Sequence, residues 1–171
     1  MLTLFETLFA IIRLKKGPDA IPYSWLLCLI TMTMWLFAGL AMTAITEELG
    51  DADFLLGTFT GAAGLACYAS IIVLSGRTPR LLQTVTAILG CGAVLSLLFI
   101  AGNALLAPIL GENVTSLVVT LILLWSIPVE GHIIARAIDQ HWYVGIVAAM
   151  AVFVFQLFLH SLLNPAAGTV T

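Results

Sequence analysis

A chain of 171 residues that is 61% hydrophobic and only 9% charged, with a mean hydropathy of +1.14, lies far from soluble globular composition, in which roughly a quarter of residues carry charge. It reads as an all-α polytopic membrane protein of one domain, its length filled by spans of about 20 apolar residues with almost nothing left for a soluble module. Six Lys and Arg against nine Asp and Glu, with no basic stripe, exclude a nucleic-acid partner, and no cofactor is called for.

The chain opens with MLTLFETLFAIIRLKKGPDAIP. Arg13, Lys15 and Lys16 follow the apolar run instead of preceding it, and no small-residue cleavage site comes before the next span, so the segment is read as retained. Leu4, Phe5, Leu8, Phe9, Ile11 and Ile12 recur at helical spacing, with Thr3, Glu6, Ala10 and Arg13 on the other side. This predicts an amphipathic helix within residues 1–17, too short to span and ended by Gly17-Pro18. It is expected to lie in the interface, with Leu4, Phe5, Leu8, Phe9 and Ile12 inserted into the bilayer and Arg13, Lys15 and Lys16 on anionic headgroups. The alternative is a helix packed beneath the bundle.

Five transmembrane helices follow, at about residues 23–46, 54–75, 81–106, 114–138 and 142–163. Ser24 is available to cap the first. The loop EELGDAD carries Glu47, Glu48, Asp51 and Asp53 but lacks the twelve-residue spacing of a calcium-binding EF-hand, so it reads as a solvated external turn and no metal site is expected. In the second span Gly57, Gly61 and Gly64 make a small-residue face for close helix packing. The third is expected to stop before Pro108. Cys28, Cys67 and Cys91 lie inside apolar segments at no metal-ligand spacing and read as packing residues.

Charge fixes the expected orientation. In this five-span scheme Arg13, Lys15, Lys16, Arg77, Arg80 and Arg136 all fall on one side, opposite Glu47, Glu48, Asp51, Asp53 and Glu112. The expectation is a multi-pass protein of the inner (plasma) membrane, its N-terminus cytoplasmic and its C-terminus external, with Arg77, Arg80 and Arg136 also at the headgroups.

The stretch Leu117 to Asp139, LVVTLILLWSIPVEGHIIARAID, gathers ionisable groups more densely than any other hydrophobic segment. Pro128 removes a backbone hydrogen bond and should free a carbonyl near Leu124. Glu130 lies roughly 12 Å from the cytoplasmic end of its helix by helical rise, where charge needs a partner. His132 and Arg136 share a face about 160° from Glu130, so one helix cannot unite the three. Glu130 is expected to turn to the freed carbonyls through water, or to Arg77 or Arg80. Three readings of Glu130, His132 and Arg136 compete: a pairing that fixes helix docking, a proton or ion relay, and an acid–base enzyme. The last has no nucleophile motif, metal triad or H-E-x-x-H to accompany it. Gln156 and His160, one turn apart on the fifth span, are candidates for a polar cluster with Asn103.

The fourth span, W-S-I-P-V-E-G-H-I-I-A-R-A-I, with Trp125, Gly131 and Arg136, and the segment R-T-P-R-L-L-Q-T-V-T-A at the start of the third resemble the bacterial members of the Yip1 family. The resemblance implies a five-helix, non-enzymatic membrane protein that organises membrane or partners. The family's GTPase-adaptor role uses a longer cytoplasmic N-terminal region; only about twenty residues precede the first span here, so that role is not carried over. The function expected is that of a membrane-organising scaffold whose partners are the lipid bilayer, a membrane protein or a second copy of the chain. The alternative is a small proton-coupled or ion transporter using Glu130, against which an odd number of spans and the lack of an inverted repeat both weigh.

Overall fold

A computed structural model describes residues 2–45 and 51–164. Glu47, Glu48 and the tail beyond Asn164 lie outside the described residues, as do the side chains of Asp51 and Glu112. The described residues form six α-helices and no strand: α1 Leu2–Ile12, α2 Trp25–Ile45, α3 Asp51–Leu74, α4 Leu81–Leu110, α5 Glu112–Ala137 and α6 Trp142–Leu163. Short 3-10 turns, Pro18–Ala20 and Thr78–Arg80, precede α2 and α4. Helices α2 to α6 are each long and apolar enough to cross a bilayer, the multi-pass architecture that the composition requires.

One expected boundary is wrong. Helix α4 does not stop at residue 106 but runs through Pro108 to Leu110. Proline in the last turn costs only the single bond that its nitrogen would have made, and Gly111, at φ +77°, ends the helix with its N–H on the Ala107 carbonyl at 3.1 Å. Helix α5 likewise continues through Pro128. Ser24 reaches the Leu27 N–H only at 3.5 Å, long for a cap. At the end of the bundle opposite Gly111, three helices finish alike. Leu14, Gly76 and Asp139 take left-handed φ values of 60°, 72° and 53°. The next N–H in each case reaches five residues back, from Lys15 to Ala10, Arg77 to Ile72 and Gln140 to Ala135.

Around the bundle the order of neighbours is α2, α4, α5, α6, α3 and back to α2, the contacts of α3 being the lightest. Small residues set how closely the helices approach. At the α5–α6 crossing Gly145 lies against the Gly131 carbonyl, and a Cβ there would also come within 2.7 Å of Ala135 Cβ and 2.9 Å of its nitrogen. Of the three glycines expected to form one smooth face on α3, each meets something different. Gly61 receives the Trp35 ring, Gly64 receives the Gln156 side chain, and Gly57 faces open space.

Helix α1 corrects the interfacial expectation. Leu8 and Ile11 are fully buried, Leu4 and Ile12 nearly so, and they join the main core with Ile72, Cys91, Ile133 and Ile134. Leu8 occupies the notch left by Gly90, beside Thr31, and its carbonyl lies 3.9 Å from Cys91 Sγ. Trp125 Nε1 donates to the Ile12 carbonyl at 3.0 Å. Of the five side chains expected in lipid, only Phe5 and Phe9 remain exposed, with Leu4, Leu8 and Ile12 turned into protein. An apolar helix face with a complementary small-residue notch nearby gains packing contacts there that disordered lipid does not supply.

Candidate functional site

Glu130 points into the bundle from α5, about 10 Å from the end of that helix by helical rise. Its Oε2 accepts a 2.6 Å hydrogen bond from the Tyr68 hydroxyl on α3. This is the partner that charge at such a depth needs, and it is neither Arg77 nor Arg80. Tyr68 is itself almost fully buried, so each group satisfies the other.

Two cavities meet at Glu130. The larger, about 620 Å³, is lined by all five spanning helices. It runs from Asp53, His160 and Asn164, at the end away from the basic residues, past Phe54, Phe99 and Ser126 to Glu130. The smaller, about 170 Å³, holds Tyr68, Glu130 and Gln156. Trp35, Gly92 and Glu130 line both. The Trp35 indole lies between Gly61 and Gly92, two positions where the absence of a side chain makes room for it, and so stands at the junction. Immediately before Gly92, Gly90 and Cys91 carry the buried Leu8, which places α1 behind the site on the basic side.

The lining repeats with helical period. On α4 it takes Gly92, Leu95, Ser96 and Phe99, and on α5 Ile122, Leu123, Ser126 and Glu130. The stripe of small and hydroxyl residues around Glu130 is the sequence signal that leads to the cavity. Tyr68 and Trp35 carry no comparable signal of their own.

The other expected site residues go elsewhere. Gln156 Nε2 donates to the Thr60 carbonyl at 3.2 Å, His160 lines the outer cavity and Asn103 is exposed, so the expected cluster of the three does not form. His132 Nε2 lies 3.1 Å from the Lys16 carbonyl, and the Arg136 stem packs against Gly17. Glu130, His132 and Arg136 are therefore not one site. The latter two hold the segment after α1 while Glu130 faces the cavities.

At the basic end Arg77 and Arg80 both bind Asp139, at 2.9 and 2.7 Å. Arg80 Nη1 also donates to the carbonyls of Arg136 and Ala137, at 3.1 and 3.3 Å, closing the end of α5. Both arginines thus have a protein partner where headgroups were expected. The hydrogen bond from Arg80, with Arg77 beside it, holds the Asp139 carboxyl below the usual carboxylate range. A depressed folded value means that the latch contributes fully above the ordinary carboxylate pKa and is lost as pH falls through the folded one. Asp139→Asn should therefore match the wild type in thermal stability at acid pH and fall below it toward neutrality. A difference that stays constant with pH would contradict the latch.

Fold and site together define an all-helical, multi-pass membrane protein with a carboxylate at the meeting point of two cavities among its helices. No family model, no curated protein and no solved structure matches the chain. Among the described residues no group of three or more His, Cys, Asp or Glu is placed to hold a metal ion.

Proposed function

We propose that this protein carries a cation, the proton included, across the membrane by way of Glu130. The observation that carries the reading is the position of that carboxylate: at membrane depth, bonded to Tyr68, and lining both cavities. Ionisable groups are costly inside a bilayer, and in the bundle interior they mark solute and proton pathways. The five spanning helices among the described residues do not divide into two inverted repeats, which weighs against rocking of two halves, and Trp35 at the junction of the two cavities is the side chain placed to control access between them. Lys16, Arg77, Arg80 and Arg136 gather at one end, which by the positive-inside rule is the cytoplasmic end of an inner-membrane protein, with the N-terminus inside and the larger cavity facing out.

The membrane-organising reading that the Yip1 resemblance implies needs an outward-facing N-terminal helix. With Leu4, Leu8 and Ile12 buried, only Phe5 and Phe9 beside the exposed Arg13, Lys15 and Lys16 serve it, and the Glu130 reading is preferred.

The test is proton flux into proteoliposomes loaded with pyranine, driven by an imposed pH gradient with sodium or potassium on the opposite side. Wild-type protein should dissipate the gradient, and Glu130→Gln should slow it at least tenfold. Equal rates for the two proteins would remove Glu130 from any transport path.

A further inference from the structure

We infer that the larger cavity is a binding site for an organic cation with an aromatic or apolar body, held with its positive charge toward Glu130. The inference rests on the Glu130-centred reading above and narrows it to a class of solute. Size is the first argument. About 620 Å³ falls within the range of roughly 300–1,000 Å³ typical of sites for drug-sized molecules and far exceeds what a bare ion or a proton-bearing water needs.

The lining supplies the second argument. Its carboxylate residues are Asp53 near the outer end and Glu130 at the inner end, and neither Lys nor Arg lines it. The Arg and Lys residues whose contacts are described lie at the opposite end of the bundle, and His160 is the titratable nitrogen in the lining, at the outer end with Asp53. A carboxylate between low-dielectric walls, when ionised, focuses a field that concentrates cations and repels anions. Most of the remaining wall is carbon. Trp35, Phe54 and Phe99 add aromatic rings, whose faces attract an ammonium or phosphonium group. A divalent metal ion would demand a cluster of ligating side chains instead, and among the described residues no group of three or more His, Cys, Asp or Glu is placed to supply one.

The pattern of exposure agrees. Glu130 is held by Tyr68 at one oxygen, yet it keeps accessible surface toward the cavity and is not sealed in the core as Val129 and Ile133 beside it are. A cation in the cavity therefore meets the Glu130 carboxylate at the inner end, and the aromatic walls receive the rest of the molecule.

The experiment measures binding of radiolabelled tetraphenylphosphonium to the purified full chain in detergent, with tetraphenylborate as an anion of the same shape. The expected result is saturable binding of one phosphonium per chain, weakened at least tenfold by Glu130→Gln and not displaced by the borate. Gly57→Leu supplies a second variant. Gly57 lines the cavity and a Cβ there meets nothing within 4 Å, so the leucine enters open space at a position away from Glu130, and it too should weaken binding tenfold. Phosphonium binding unchanged in both variants, or borate binding as tight as phosphonium binding, overturns the inference. The same preparations are then reconstituted for flux. Glu130-dependent proton flux without phosphonium binding overturns the solute class alone, and loss of both signals in the wild type overturns the transport reading with it.

Discussion

Gly145→Ala is expected to lower the thermal stability of the detergent-solubilised protein by roughly 6–12 °C, and Gly145→Leu to prevent its recovery as a monodisperse species. The added carbon would collide with the Gly131 carbonyl and with both the backbone nitrogen and the side chain of Ala135. Two of these are main-chain atoms in a continuous helix, which cannot turn aside as a flexible side chain can. Gly131 is crowded in return, since a Cβ there would meet the Ile146 backbone at 3.0 Å. The strain of overpacking, about 1–3 kcal/mol in ordinary cores, should therefore fall at the upper end. Gly57→Ala is the matching control. With open space around it, the substitution should cost nothing and gain up to about 1 kcal/mol from reduced backbone entropy in the unfolded chain. Thermal denaturation followed by tryptophan fluorescence separates the two glycines, and equal effects would show that the α5–α6 crossing is looser than the structure has it.

Leu8→Ala should cost about 2–5 kcal/mol, while Phe9→Ala, one position along the same helix, should cost less than about 1. Leu8 is fully buried in the notch at Gly90, whereas Phe9 is 42% exposed. The order matters more than the sizes. A helix lying in the bilayer interface would make the larger phenylalanine the stronger anchor and leave Leu8 replaceable, so the reverse ranking would return α1 to the membrane surface. A docked α1 also ties the N-terminal segment to α5 through Trp125 and His132, making it part of the wall behind Glu130.

Hydropathy and charge are signals carried along one helix at a time, which is why the five spans and the basic end were readable from the sequence. Partnership between helices is not carried that way. Glu130 stands out as a charge in an apolar run, but nothing in the α3 sequence singles out Tyr68 over Thr60 or Ser70 as the hydroxyl that meets it. Asp139 is hidden for another reason. It sits next to a basic cluster whose positive charge suggests headgroups, and only the left-handed turn at the end of α5 brings its carboxylate to Arg77 and Arg80. The apolar stripe of α1 looks the same whether lipid or protein receives it. What decides the matter is Gly90, far along the chain on α4, whose missing side chain is the space that Leu8 fills.

The most direct test of the account is the side from which Glu130 can be reached. Glu130→Cys, in a chain with Cys28, Cys67 and Cys91 replaced by serine, would be exposed in sealed vesicles to a membrane-impermeant cationic methanethiosulfonate reagent. Rapid labelling from the face that carries Asp53 and His160, and labelling at least tenfold slower from the face that carries Arg77 and Arg80, is the predicted result. Labelling that is equally slow from both faces, or faster from the arginine face, would contradict a carboxylate served by the outer cavity.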